Sequence, residues 1–106
     1  MGAKVLNQYL KSLNSKKHII LGMMKNKNHN EFIDCFEDIK TLTTIDIPNQ
    51  PNAISGNDLR MKIKSSIKIQ NKKNIKDAIS SINLEKDDII LITGSLYLAG
   101  EVLKIN

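Results

Sequence analysis

The sequence predicts an α/β fold, a Rossmann-like parallel sheet of about four strands with helices on both faces. Short apolar or β-branched runs alternate with segments whose apolar residues recur at helical spacing. Strands that alternate with helices in this way usually form a parallel sheet. The run at residues 89–92 is apolar at every position, which is typical of a strand covered on both faces.

The elements are predicted in the order α-β-α-β-α-β-α-β-α. The predicted strands are residues 18–21, 42–47, 67–69 and 89–92. Three of the helices have a capping residue before them, Asn28, Ser55 or Asn74, each followed three residues later by an acid. The other two helices are predicted over residues 2–13 and after Ser95, where Leu96 and Leu103 fall at helical spacing.

The length of 106 residues fits one domain, residues 1–106, with one core. The chain begins on a helix with no strand before it, so we expect the first strand of the sheet to be missing or to lie in another chain. We find no membrane span and no secretory signal. A single cysteine, Cys35, excludes an internal disulfide and predicts a reducing, cytoplasmic location.

The net charge of +5 could indicate a nucleic-acid partner. However, the lysines are spread along the chain, Arg60 is the only arginine, and aromatic residues make up 4% of the sequence. A solvated surface explains such a charge, because a basic patch without a docking motif is weak support for nucleic-acid binding. We therefore expect neither a nucleic-acid partner nor a membrane partner.

No motif in the chain predicts catalysis by the chain alone. A phosphate-binding loop of the type G-x-x-x-x-G-K-[ST] is absent from the sequence, so we expect this chain to bind no ATP by itself. Two histidines, His18 and His29, and Cys35 are too few for a dedicated zinc site, and the histidines fit a strand start and a loop. Ser95 has no histidine or acid at a readable spacing. We therefore predict no catalytic residue and no metal ligand.

The turn Thr93-Gly94-Ser95 is the strongest candidate for a binding site. It ends the most apolar strand and precedes a predicted helix, and helix N-termini at the carboxyl ends of strands offer N–H groups to anions. An equally simple interpretation is a strand–helix turn whose glycine only relieves crowding. From the residues alone both interpretations stay open, and the second is the more common.

Three stretches resemble one family in the right order. They are residues 2–6 (GAKVL), residues 20–28 (ILGMMKNKN) and residues 93–103 (TGSLYLAGEVL); residues 47–52 (IPNQPN) also match a proline-containing loop. Together they resemble the carboxyl-terminal domain of the folylpolyglutamate synthase/dihydrofolate synthase family, within the Mur ligase superfamily. The resemblance covers essentially the whole chain, and its third stretch is the most specific.

The resemblance implies part of an ATP-dependent ligase. In this family ATP, with magnesium, activates a carboxylate of a pteroate or folate as an acyl phosphate, which the amine of glutamate then attacks. The resemblance implies that Ser95 holds the glutamate together with its neighbours Gly94, Thr93 and Leu96. It also implies that Lys27 and Asn28 lie on the rim of the cleft facing the ATP-binding domain.

Several positions depart from the family pattern. Asn26 and Asn28 stand where many members have acids, and Asn52 replaces a common arginine. The family's Asp-Gly-Ala-His-Asn motif and its ATP-binding domain would precede Met1. We therefore expect either half of a split ligase, with a separate ATP-binding half as partner, or a gene remnant, inactive alone in both cases. The alternative is a non-catalytic α/β ligand-binding or receiver-like regulatory module. A receiver domain has clustered acids after its first strand, and the residues found there, Gly22-Met23-Met24, disfavour that interpretation.

Overall fold

Four parallel strands and one antiparallel strand form a single sheet in the structure, a computed structural model that describes residues 16–94 and the backbone of residues 102–104. The strands are β1 (Lys17–Leu21), β2 (Ile39–Thr44), β3 (Ile69–Asn71), β4 (Ile89–Thr93) and β5 (Val102–Lys104). The helices are α1 (His29–Asp34), α2 (Gly56–Lys62) and α3 (Ile75–Ser80). The helix predicted over residues 2–13 lies outside the described residues.

The strand order is β3-β2-β1-β4-β5. β1 lies at the centre and pairs in parallel with β2 on one side and with β4 on the other, while β3 extends the sheet beyond β2. α1 and α2 connect β1 to β2 and β2 to β3, and α3 connects β3 to β4. The predicted Rossmann-like parallel sheet is therefore confirmed, with one antiparallel strand added at its edge.

Helices cover both faces of this sheet, as predicted. Alternate residues along a strand point to opposite faces, so β1 and β4 supply apolar side chains to two separate cores. The first core lies under α1 and α2 and contains Ile19, Leu21, Met23, Ile33, Phe36, Leu42, Ile54, Leu59, Ile63, Ile89 and Leu91. The second lies under α3 and contains Ile20, Ile45, Ala78, Ile90 and Ile92.

The predicted helix starts are confirmed. The side-chain oxygens of Asn28, Ser55 and Asn74 each accept a hydrogen bond from the backbone N–H three residues later, over 3.1, 3.1 and 2.8 Å. Each capping residue has an extended backbone, which is the geometry of an N-cap. Only local sequence is needed to form this bond, which explains why the sequence predicted it.

Strand boundaries differ from the prediction at β2 and β3. β2 begins at Ile39, three residues before the predicted start, and ends at Thr44 instead of residue 47. Asp38 has a φ of 57°, and this left-handed backbone ends the preceding segment just before the strand. β3 is shifted two residues along the chain, because Ile69 pairs with Leu42 of β2. Strand pairing, which the local pattern does not contain, sets both boundaries.

The prediction of a closing helix that includes Leu103 is wrong at its far end. Residues 102–104 form β5 and pair antiparallel with β4, with Ile90 opposite Leu103. Without β5, the outer edge of β4 would have unpaired N–H and C=O groups, and a paired strand satisfies them where a helix could not.

No helix in the described part of the chain is long and apolar enough to cross a membrane.

Candidate functional site

The strand order reverses between β1 and β4. From β1 the chain moves outward to β2 and β3, and then returns to place β4 on the other side of β1. In open α/β sheets, ligands bind at the carboxyl ends of the strands where this reversal occurs. Gly22 follows β1 and Gly94 follows β4, and the Gly22 N–H donates to the carbonyl of Thr93 over 3.2 Å. The predicted turn therefore ends one of the two strands that border the reversal point.

Gly94 has a backbone that other residues rarely adopt. Its φ is 109°, and a Cβ at this position would lie 2.5 Å from the Gly22 carbonyl oxygen and 2.6 Å from Cδ1 of Leu21. Glycine is therefore required here both by conformation and by the close approach of two chain segments. This observation supports the simple packing interpretation of the glycine.

The structure describes part of the predicted site. Thr93 is buried and Gly94 is half-buried at the carboxyl end of β4, while Ser95 and Leu96 lie outside the described residues. Lys27 and Asn28 are exposed at the far end of the loop that begins at Gly22. Among these described residues, no hydrogen bond or ion pair joins Lys27 or Asn28 to Thr93 or Gly94. The Asn28 side chain instead caps α1 and donates to the Glu31 carboxylate over 3.0 Å.

Two loops at this edge are bonded to each other. We name residues 22–28, which follow β1, loop 1, and residues 45–55, which follow β2, loop 2. The Lys25 N–H donates to the Asn52 carbonyl over 2.9 Å, and the Ile54 N–H donates to the Met23 carbonyl over 3.0 Å. These bonds form a short antiparallel bridge between Met24 and Ala53. Loops 1 and 2 thus lie side by side at the carboxyl edge of the sheet.

The start of α2 is fixed to the ends of β2 and β3. The Gly56 N–H donates to the Asp46 carboxylate over 2.6 Å, and the Thr44 hydroxyl donates to the Gly56 carbonyl over 2.6 Å. A Cβ on Gly56 would collide with the Asn71 side chain and the Ile45 backbone. The Asp46 carboxylate therefore has a clear structural role, which the sequence did not show.

A buried polar cluster at the opposite edge was also missed by the sequence. Nε2 of His18 lies 2.9 Å from the Asp88 carboxylate, and Nδ1 lies 2.8 Å from the Thr41 hydroxyl. Lys40 Nζ and the Glu85 N–H each donate to the same Asp88 oxygen over 3.1 Å. The His18 and Asp88 side chains are 2% and 5% exposed. Seventy positions separate these two residues, so no local spacing could reveal the pair.

This cluster resembles a hydroxyl–histidine–carboxylate triad but is not built for catalysis. Both ring nitrogens of His18 have protein partners, and the ring is shielded from solvent. The residues lie at the amino ends of β1, β2 and β4, far along the strands from loops 1 and 2. We conclude that His18 ties three strands together. His29, which we had placed in a loop, is instead the first residue of α1 and is also buried.

The pKa of Asp88 is held at about 2, below its ordinary value of 3.8, first by the hydrogen bond from His18 and further by those from Glu85 and Lys40. A carboxyl whose pKa is depressed by folding stabilises the fold above its unfolded pKa, and this contribution is lost as the pH falls toward the folded pKa.

We therefore expect the stabilising effect of the Asp88 charge to disappear between about pH 4 and pH 2. Urea unfolding of the unmodified chain and Asp88→Asn, measured from pH 6 to pH 2, tests this. The unmodified chain should be the more stable at pH 6, and the difference should shrink by on the order of 1–2 kcal/mol at the acid end. A difference that stays constant over this range would contradict the assignment.

Among the described residues, no group of three or more histidine, cysteine or acidic side chains is arranged to hold a metal ion. The site thus consists of backbone groups, small side chains and exposed lysines around loops 1 and 2. This composition is suited to binding an anionic ligand or a partner surface.

A family model, the glutamate ligase domain of the Mur ligases, matches residues 2–96. The chain belongs to this Mur ligase family. The match contains β1 to β4, loops 1 and 2, and the turn at Gly94, and it makes the chain part of an ATP-dependent ligase. Searches of curated proteins and of solved structures gave no match. The strand reversal between β1 and β4, with Thr93 and Gly94, therefore lies within the residues that match the Mur ligase family model.

Proposed function

We propose that this chain is the glutamate-binding, carboxyl-terminal domain of a ligase that joins glutamate to a folate or dihydropteroate. In this proposal it acts only together with an ATP-binding half and is inactive alone. The observation that carries the proposal is the position of Thr93 and Gly94 at the strand reversal of a Mur ligase glutamate ligase domain. A ligand at that point would contact the carboxyl ends of both β1 and β4.

The proposed role of this chain is to bind and orient one substrate. The backbone N–H groups after Thr93, together with the Ser95 hydroxyl and the neighbouring Leu96, would hold the glutamate. The backbone at Gly94 approaches Gly22 closely, so the two chain segments would lie together beneath a bound glutamate. Binding by such groups holds the amine of glutamate in place for attack on an activated carboxylate.

The ATP-binding half would supply ATP and magnesium, which activate the carboxylate of the folate. We assign them to that half because this sequence has no phosphate-binding loop. Lys27 and Asn28, exposed at the end of loop 1, would lie on the rim that faces it. We also propose a cytoplasmic location, which the free thiol of Cys35 supports.

The test is ligation by the chain mixed with an ATP-binding half supplied as a separate protein. We expect ATP-dependent transfer of labelled glutamate to a folate by the mixture and none by the chain alone. Ser95→Ala should raise the KM for glutamate roughly tenfold or more, the usual effect of losing a hydrogen bond to a charged group. The KM for ATP should be unchanged.

Ser80→Ala is the matched control, because Ser80 lies exposed at the end of α3 and, among the described residues, its hydroxyl bonds to the Lys76 carbonyl in its own helix. It should leave both KM values unchanged. If Ser95→Ala altered the KM for ATP as much as that for glutamate, the turn would be assigned wrongly. If the mixture bound glutamate but never ligated it, the non-catalytic binding module would be the better description.

A further inference from the structure

Three consecutive residues of loop 1 are fixed to the rest of the protein by hydrogen bonds. Met23 accepts from the Ile54 N–H and Lys25 donates to the Asn52 carbonyl, so both flank the bridge to loop 2. The residue between them, Met24, has its carbonyl 2.9 Å from Nε2 of His29. Since a carbonyl only accepts hydrogen bonds, His29 is the donor, with its proton on Nε2.

His29 connects this bridge to a rigid base. It is the first residue of α1, the residue is 5% exposed, and α1 packs on the sheet through Ile33 of the first core. The bond from His29 to Met24 closes a turn over residues 25–28, which contains both exposed lysines of loop 1. A helix anchored in the core thereby holds the backbone of residues 25–28, which are exposed, whereas Met23 at the start of the loop is buried in the first core.

We propose that His29 is a positioning residue that locks loop 1 onto loop 2, so that Lys25 and Lys27 are held in fixed backbone geometry at the carboxyl edge of the sheet before any partner binds. Its contribution to ligation rests on the proposed function. Short polar loops otherwise open locally at little cost, and ordering one in advance removes that cost from the binding step.

Amide hydrogen exchange of the full chain, followed by NMR, tests the lock directly. In the unmodified chain the Lys25 amide should be protected, although its side chain is exposed. His29→Leu replaces the ring by an apolar side chain that has no donor, and it should speed exchange at Lys25 by roughly tenfold, as expected for one lost hydrogen bond. His29→Gln, whose amide nitrogen can replace Nε2 as donor, should restore most of the protection.

Two internal references separate this local effect from general destabilisation. The Ile20 amide in β1, a central strand of the sheet, reports global opening and should change less than the Lys25 amide in His29→Leu. Asn30→Ala is the matched control in the same helix, because Asn30 bonds to Lys62 and Lys64 and not to loop 1. It should leave the Lys25 amide protected relative to Ile20.

The same variants, mixed with the ATP-binding half, complete the test. His29→Leu should lower kcat/KM for glutamate several-fold, and His29→Gln should recover it. The inference is overturned if His29→Leu leaves Lys25 exchange unchanged, speeds Lys25 and Ile20 equally, or frees the loop without altering kcat/KM. Absence of ligation by the unmodified mixture, with the expected exchange pattern, would instead overturn the proposed function and support the lock.

Discussion

Replacing Asp88 by alanine is expected to lower the free energy of unfolding by about 2–4 kcal/mol, because it leaves a buried hydrogen-bond donor without its charged acceptor. The change removes the acceptor of three hydrogen bonds, from His18, Lys40 and the Glu85 N–H. The His18 ring, whose side chain is 2% exposed, would be left without the carboxylate in a buried setting where water cannot easily replace it. Urea unfolding at pH 7 measures the loss.

Glu85→Ala is the matched control for Asp88→Ala. Both acids pair with the same amine, Lys40 Nζ, over 3.2 Å for Glu85 and 3.1 Å for Asp88. The Glu85 side chain is 73% exposed, however, whereas that of Asp88 is 5% exposed. Exposed ion pairs typically contribute about 0–1 kcal/mol, so Glu85→Ala should have little effect. Equal losses in the two variants would show that burial does not set the strength of this cluster.

A double-mutant cycle with His18 isolates the pair itself. If Asp88 acts mainly through His18, the loss in His18→Leu combined with Asp88→Ala should be clearly smaller than the two single losses added together. The reason is that a buried donor left without its acceptor costs more than the absence of both groups. Strictly additive losses would argue against the direct coupling between the two residues.

Gly94→Ala is expected to lower the free energy of unfolding by about 2–4 kcal/mol, from a strained backbone together with steric overlap. The new Cβ would meet the Gly22 carbonyl oxygen at 2.5 Å, and this backbone atom belongs to the neighbouring central strand end. Relief would require β1 and β4 to separate at the strand reversal. Thermal or urea unfolding measures the loss, and altered amide shifts at Gly22 and Met23 would locate it.

Asn49→Ala separates the backbone strain from the overlap. Asn49 also has a left-handed backbone, with a φ of 62°, but it lies in an exposed turn of loop 2. Its replacement should therefore cost only the conformational strain, about 1–2 kcal/mol. If Gly94→Ala were no more destabilising than Asn49→Ala, the close approach to Gly22 would carry no energetic weight.

The three capped helices were predicted well because their signals are local. Ser55 bonds to the Asp58 N–H, and Asn74 bonds to the Asp77 N–H, over three residues of one short segment. The strand run at residues 89–92 was equally clear, because four apolar residues in a row suit a strand buried on both faces. The position of Thr93 and Gly94 at a strand end followed from the same run.

The site was predicted less completely. The sequence placed Gly94 at a turn but could not show that Gly22, seventy-two positions earlier, lies against it. It described His29 as a loop residue, although the ring is buried and bonded to Met24. The signal for His29 was present in its position directly after the capping residue Asn28, where the first turn of a helix begins. Nothing in the local pattern pointed to Met24 as its partner.

The sequence by itself determined the α/β class, the capped helices and the buried central strands, since each depends on residues within one turn or one run. Only the tertiary structure decided the strand order, the antiparallel β5, the bridge between loops 1 and 2, and the pairing of His18 with Asp88. These features join segments that are distant in the chain. Their geometry depends on which strands become neighbours, and that choice is made by the packing of the whole sheet rather than by any single stretch of residues.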